Sequence, residues 1–334
     1  MSHTFGCGNV AGAPLPVADQ HNGRMSRPQP VAAIDCGTNS IKVLVGEVRE
    51  DGGLDVLARD SRVVRLGQGV DRTGVLADEA LARTFAAVEE LGAVIREHDV
   101  PPERTRFCAT SATRDARNAA TFAEGVRQRL GVEPEVLSGA EEAALVFAGA
   151  TAGRVPGPPE PVLVVDIGGG STELVLGEGG AARQSVSMDI GSVRLHERHL
   201  DSDPPTAQEV AACRDDVAHH LDSCGVDLPR ARTVIGTSGT IKTLACGVLG
   251  LASYDRDAFD GAELADADTR AFVDRLVARS VAERRALPYM HPGRADVIDA
   301  GALIWSGILA RVPGPTHLVS EADVLHGMAA AIGR

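Results

Sequence analysis

VLVVDIGGGSTELVLGE, residues 162–178, repeats VAAIDCGTNSIKVLVGE, residues 31–47, at a constant offset of 131. Asp35 stands against Asp166, Gly37 against Gly168, Ser40 against Ser171 and Gly46 against Gly177. In each copy an apolar run delivers an aspartate, a glycine-containing turn follows, and a second β-rich run leads away. That is the pattern of a hairpin. A strand–Asp-x-Gly–strand unit that occurs twice predicts two domains of similar fold, each opening with its own hairpin.

Working outward, a third strand is expected over Leu54 to Leu66, and residues 77–100 carry apolar positions at helical spacing up to Pro101 and Pro102. Thr105 to Ala109 reads as a strand, Ala116 to Leu130 as a helix and Val132 to Leu137 as a strand. Ser138 caps a further helix with acids in its first turn. Residues 151–161 form a Pro/Gly-rich connection. Beyond the second repeat, QSVSMDI (184–190) is strand-like, a helix is expected near Ala207 to Ser223, and Thr233 to Ile235 is a strand before the loop GTSGT. From Asp266 onward the pattern is mostly helical. Strands alternating with helices in both halves give an α/β protein. The expected division is a disordered tail over 1–29, one domain over 30–145 and a second over 146–334, with Met25 an alternative start.

The chain has 334 residues, 44% hydrophobic and 24% charged, which is globular composition. No run reaches the roughly 18 apolar residues of a membrane span. A net charge of −13 argues against a broad basic surface for nucleic acid. It leaves room for a small anion in a locally positive pocket. The six cysteines show no metal-site spacing and read as reduced, and the tail has no secretory h-region, so the cytoplasm is the expected compartment.

The loops DCGTNS (35–40) and DIGGGS (166–171) share one chemical logic. A buried strand ends in an aspartate that can bind a divalent cation. The glycines let backbone amides approach an anion, and Thr38, Asn39, Ser40 and Ser171 add donors beside Gly37, Gly168, Gly169 and Gly170. A third loop, Gly236, Thr237, Ser238, Gly239 and Thr240, again follows a strand and leads to Lys242. It lacks the spacing of a nucleotide P-loop. Lys42 and Lys242 are the only lysines in the chain. A compact point charge near phosphate suits Lys242, whereas Lys42 has two faces of its strand open to it. Arg114, in ATSATRDARN, can clamp an anion. Glu141 and Glu142 are, on residues alone, ordinary first-turn acids; beside a phosphate, such a carboxylate can deprotonate water. Glu173 lies beyond Asp166 on the same hairpin. HERH (196–199) reads as surface.

Together AAIDCGTNSIKVLVGE, ATSATRDARN, LSGAEEA, VVDIGGGSTELVLG, GTSGTIKTLA and RADVIDAGALI resemble the exopolyphosphatase / guanosine pentaphosphate phosphatase family, in the family's order, from about residue 31 onward. The resemblance implies two ribonuclease-H-like domains of the actin-like ATPase type flanking a central cleft. It implies Glu142 as the catalytic glutamate, Arg114 as a catalytic arginine that offsets phosphate charge, and Asp166 and Glu173 as the region that holds Mg²⁺ or Mn²⁺. It further implies inorganic polyphosphate as substrate, with guanosine pentaphosphate or a silent sensor as alternatives, and a cytoplasmic homodimer without nucleic-acid or membrane partners. SEADVLHG (320–327) departs from the family, with His326 where an acid usually stands, which leaves the role of that segment open.

Overall fold

The computed structural model describes Met1 and residues 29–49, 53–152 and 157–333. The expected tail lies outside these residues but for its two ends. The first hairpin is β1 (Val31–Cys36) and β2 (Ser40–Val48), followed by β3 (Leu54–Val63), β4 (Thr105–Ala109) and β5 (Glu135–Val136). They form one sheet in the order β3-β2-β1-β4-β5, with β2 antiparallel to β1 and β4 parallel to it. The second hairpin is β6 (Val162–Ile167) and β7 (Thr172–Glu178), joined by β8 (Ala181–Met188), β9 (Thr233–Thr237), β10 (Glu263–Ala265) and β11 (Thr316–Val319). Their order, β10-β11-β9-β6-β7-β8, repeats the first sheet and adds one antiparallel edge strand. Each half therefore has the ribonuclease-H-like arrangement. All six residues of β1 are buried, as expected for a central strand covered on both faces.

Differences from expectation have local causes. The strand expected over 132–137 shrinks to two residues because Pro134 offers no ladder donor. The third strand stops at Val63, since the amides of Val64, Arg65 and Gly67 turn to the carbonyls of Asn39 and Thr38. Ser192–His199, with HERH as its last turn, is a helix.

Two helices lie between the sheets, Gly139–Thr151 and Val324–Ile332. Val146, Phe147, Leu325 and Met328 join Ala33 and Leu44 of one sheet to Val164 and Val175 of the other in a single apolar cluster. The two helices cross closely. A side chain at Gly149 would meet the Asp323 carbonyl at 2.0 Å, and one at Gly327 the Leu145 carbonyl at 2.1 Å. The division expected at 145/146 falls inside the first of these helices. The second, expected in the C-terminal domain, packs against β1 and β2. Among the described residues no helix is long and apolar enough to cross a membrane.

Candidate active site

The two Asp-x-Gly turns are built alike. Gly37 N donates to Ser40 O at 3.0 Å and Gly168 N to Ser171 O at 2.9 Å. Those two amides are thus consumed by the turns. Among the described residues, the amides of Thr38, Asn39, Gly169, Gly170 and Ser171 have no acceptor. The turns meet across the cleft. A Cβ on Gly169 would lie 3.0 Å from Thr38 Cβ, and one on Gly170 would lie 2.6 Å from both Thr38 Oγ1 and Ser111 Oγ. Thr38 and Ser111 share a hydrogen bond of 2.9 Å. Here the glycines serve close approach as well as turning.

One position separates the two hairpins chemically. Asp35 pairs in register with Lys42, and Asp166 with Glu173, which the offset of 131 makes the counterpart of Lys42. Lys42 Nζ lies 3.0 Å from Asp35 Oδ2. Burial opposes its charge, but Asp35, Asp323 and Asp166 together hold the ammonium protonated. The other hairpin carries two carboxylates. Burial lifts Asp166 to about 6, with Lys42 opposing and Asp323 and Asp35 adding. Burial and then Asp166 lift Glu173 to about 7, against a 2.7 Å hydrogen bond from Ser187. The sequence reading left Lys42 open, although the repeat already aligned it with Glu173.

The next helix separates two neighbouring acids. Ser138 is its N-cap, and Glu141 closes the capping box, accepting from Ser138 N at 2.9 Å and Ser138 Oγ at 2.7 Å. Glu141 is spent on the cap and exposed. Glu142 turns inward, is buried, and lies 3.4 Å from Arg114 NH1, which also donates to Leu137 O at 2.9 Å. Burial, then Glu173 and Asp35, push Glu142 well above the usual carboxylate range, and Arg114 partly relieves it. The ATSATR and GTSGTI segments are also equivalents: each follows the strand parallel to its Asp strand and opens a helix.

The third loop divides. Gly236 lies within β9, where a side chain would strike Ile241 and Trp305, so it serves packing rather than anion binding. Thr237 Oγ1 donates to Ala322 O at 3.2 Å. Ser238, at φ 79°, has a buried Oγ with no partner among the described residues, and Gly239 lies against the Arg294 guanidinium. Thr240 packs against Gly301. Lys242 is buried with Nζ 2.7 Å from Glu321 O, 3.0 Å from Glu321 Oε2 and 3.4 Å from Asp323 Oδ2. Its ammonium is held by the SEADVLHG segment, and burial lowers its pKa. Arg59 of β3 completes this cluster, 2.5 Å from Asp323 Oδ2. Sequence reasoning missed Arg59 and Asp323 because nothing local pairs residues 264 apart.

Asn39, Ser40, Asp166, Gly169, Ser238 and Thr240 line a small cavity of about 60 Å³. Lys42, Gly239 and Arg294 connect it with a larger cavity of about 380 Å³ between the halves. Among the described residues no group of three or more His, Cys, Asp or Glu can hold a metal unaided. Mg²⁺ takes one or two protein carboxylates and completes its shell with water and phosphate oxygens. Asp166 and Glu173, opposite one another with raised pKa values, fit that demand.

Residues 44–330 match the model of the Ppx/GppA phosphatase family. The chain is 43% identical to exopolyphosphatase 2 of Mycobacterium tuberculosis over 316 residues, 90% of this chain and 98% of that protein. It is 37% identical to the guanosine-5'-triphosphate,3'-diphosphate pyrophosphatase of Vibrio atlanticus over 221 residues, 64% of this chain and 42% of that protein. The crystal structure of an exopolyphosphatase-like protein superposes with a TM-score of 0.87 at 42% identity, covering 91% of this chain and 98% of that one. The paired hairpins, the inward glutamate and these likenesses agree: the chain belongs to the Ppx/GppA phosphatase family.

Proposed function

We propose that the chain is an exopolyphosphatase that hydrolyses the terminal phosphate of inorganic polyphosphate with a divalent cation, Mg²⁺ or Mn²⁺. The observation that carries this reading is Glu142, buried at the cleft with its proton affinity raised by burial and neighbouring carboxylates. A base of raised pKa takes a proton from water effectively near neutral pH. The unspent amides of the two turns hold the terminal phosphoryl oxygens, and Arg114 keeps Glu142 in place from 3.4 Å. Water attacks the terminal phosphorus, its proton passes to Glu142, and the bridging oxygen leaves with the shortened chain. A cation held by Asp166 and Glu173 would offset charge on the phosphoryl oxygens.

The larger cavity suits the rest of a polyanion. Lys42, Arg59, Lys242, Arg256 and Arg294 face it against Asp60, Glu321 and Asp323, and Lys42 is paired with a fourth carboxylate, Asp35, which leaves five cations to four carboxylates. Among the described residues Arg294 has no carboxylate partner. This local excess reconciles a polyphosphate substrate with a net charge of −13. A second reading, guanosine pentaphosphate, draws on the same cavity, because Tyr254, Tyr289, Met290 and Pro288 give it an apolar wall of the kind a base occupies.

The test is phosphate release from short polyphosphate with Mg²⁺. Glu142→Gln is expected to lower kcat by about 10²–10⁴-fold while leaving the fold intact. Equal rates in the two proteins would remove Glu142 as the base. Greater kcat/KM on guanosine pentaphosphate would select the second reading, and binding of either anion without turnover by the wild type would indicate a sensor.

A further inference from the structure

The glycine turn of the second half commits its carbonyls to one helix, Ser192–His199. Gly168 O accepts from Ser192 N at 2.9 Å and from Ser192 Oγ at 3.2 Å. Gly169 O accepts from the amides of Val193 at 2.9 Å and Arg194 at 3.0 Å. Gly170 O accepts from Arg194 Nε at 2.8 Å. The carbonyl and the following N–H of a trans peptide point in opposite directions. Anchoring three successive carbonyls on this helix therefore turns the amides of Gly169, Gly170 and Ser171 away from it. These are amides that, among the described residues, have no acceptor. Convergent amides of this kind form an anion cradle.

The rest of the Arg194 guanidinium reaches the other half. One terminal nitrogen lies 2.5 Å from Asp71 Oδ1 and the other 2.5 Å from Asp115 Oδ2. Asp115 ends the short helix Ser111–Arg114, which places Ser111 against Thr38 and Arg114 against Glu142. Arg198 adds a second bond to Asp71 at 2.7 Å, and Gly69 N donates to Glu197 at 3.2 Å. The Arg194 side chain is 11% exposed. Its planar fork places a donor on each of three nitrogens, one for each of these separated acceptors, whereas a lysine has all three donors on one nitrogen.

We infer that Arg194 is a positioning residue that couples closure of the two halves to the orientation of the amides that receive the terminal phosphate. Its kinetic consequence rests on the phosphohydrolase reading; its structural consequence does not. Four proteins test it: the wild type, Arg194→Lys, Asp115→Asn, and the two changes together. Arg194→Lys is expected to lower kcat by about 30-fold with KM altered less than about threefold, since the amides stabilise the reacting phosphoryl group. Asp115→Asn should lose about tenfold, and the combined protein no more than Arg194→Lys alone, because both changes cut one link. Amide exchange over residues 192–194, whose N–H groups hold Gly168 O and Gly169 O, should quicken in both partial variants. Losses that multiply, kcat values that follow the melting temperatures, or unchanged exchange would overturn the inference. A wild type inactive on polyphosphate would refute the functional reading, while the exchange measurement would still decide the coupling.

Discussion

Lys42 and Glu173 occupy the same register in two copies of one hairpin, and their opposite charges divide the labour of the cleft. Lys42 neutralises Asp35; Glu173 leaves Asp166 short of positive charge. A carboxyl whose folded pKa exceeds its unfolded value binds its proton more tightly when folded. Its contribution to stability is present at low pH and is lost as the pH rises through the folded value. For Asp166 and Glu173 that window runs from about 4, unfolded, to about 6 and about 7, folded. In chelator the wild type should therefore lose stability between pH 4.5 and pH 7.5, and Mg²⁺ should raise its Tm more at the upper end. In urea unfolding without metal, Glu173→Gln should exceed the wild type by roughly 1–2 kcal/mol at pH 8 and match it at pH 4.5. A Glu173→Gln protein no more stable at pH 8 would show that the pair carries no uncompensated charge. The aspartates and glycines of this site were legible because the repeat displays them. The choice between Glu141 and Glu142 was not visible in the residues alone, because it depends on the direction of a helix turn that the Ser138 cap sets.

At the scale of the element, the glycine turn matters for what it admits. Gly170→Ala would put a methyl 2.6 Å from Thr38 Oγ1 and Ser111 Oγ, so the turns must part. A loss in kcat/KM of at least about tenfold is expected, with little change in Tm; undiminished activity would show that the contact is not needed. The segment SEADVLHG acquires a plain role. Asp323 caps the helix Val324–Ile332, and His326 Nδ1 accepts from Asp323 N at 3.2 Å, as a glutamate at that position does in a capping box. His326→Ala should cost about 0.5–2 kcal/mol in chemical denaturation, whereas His326→Glu should cost less. The helix Ser192–His199 escaped the sequence reading for a physical reason. It is eight residues long, strongly polar, and has no side-chain cap, so it holds through its bonds to the glycine turn rather than through its own propensity.

For the whole molecule, repeat and alternation revealed two α/β halves, but not how they share their core. Local pattern marks a helix as apolar without saying which sheet will cover it, and the helix Val324–Ile332 returns to the sheet laid down by residues 31–48. Gly149 and Gly327 let it cross the helix Gly139–Thr151 at backbone distance. Gly149→Val should destabilise the protein by about 1–3 kcal/mol or more in a single cooperative transition of both halves. Two separate transitions would show that the halves unfold independently. The same return brings the two ends of the described run, residues 29 and 333, together. Gly333 lies against Val48, two residues beyond the Gly46 that pairs with Val31. The fold is thus close to a closed ring, and its point of opening is arbitrary. A circular permutant that joins residue 333 to residue 29 through a short glycine-rich linker, and opens between residues 152 and 157, would preserve every sheet ladder and both turns of the cleft.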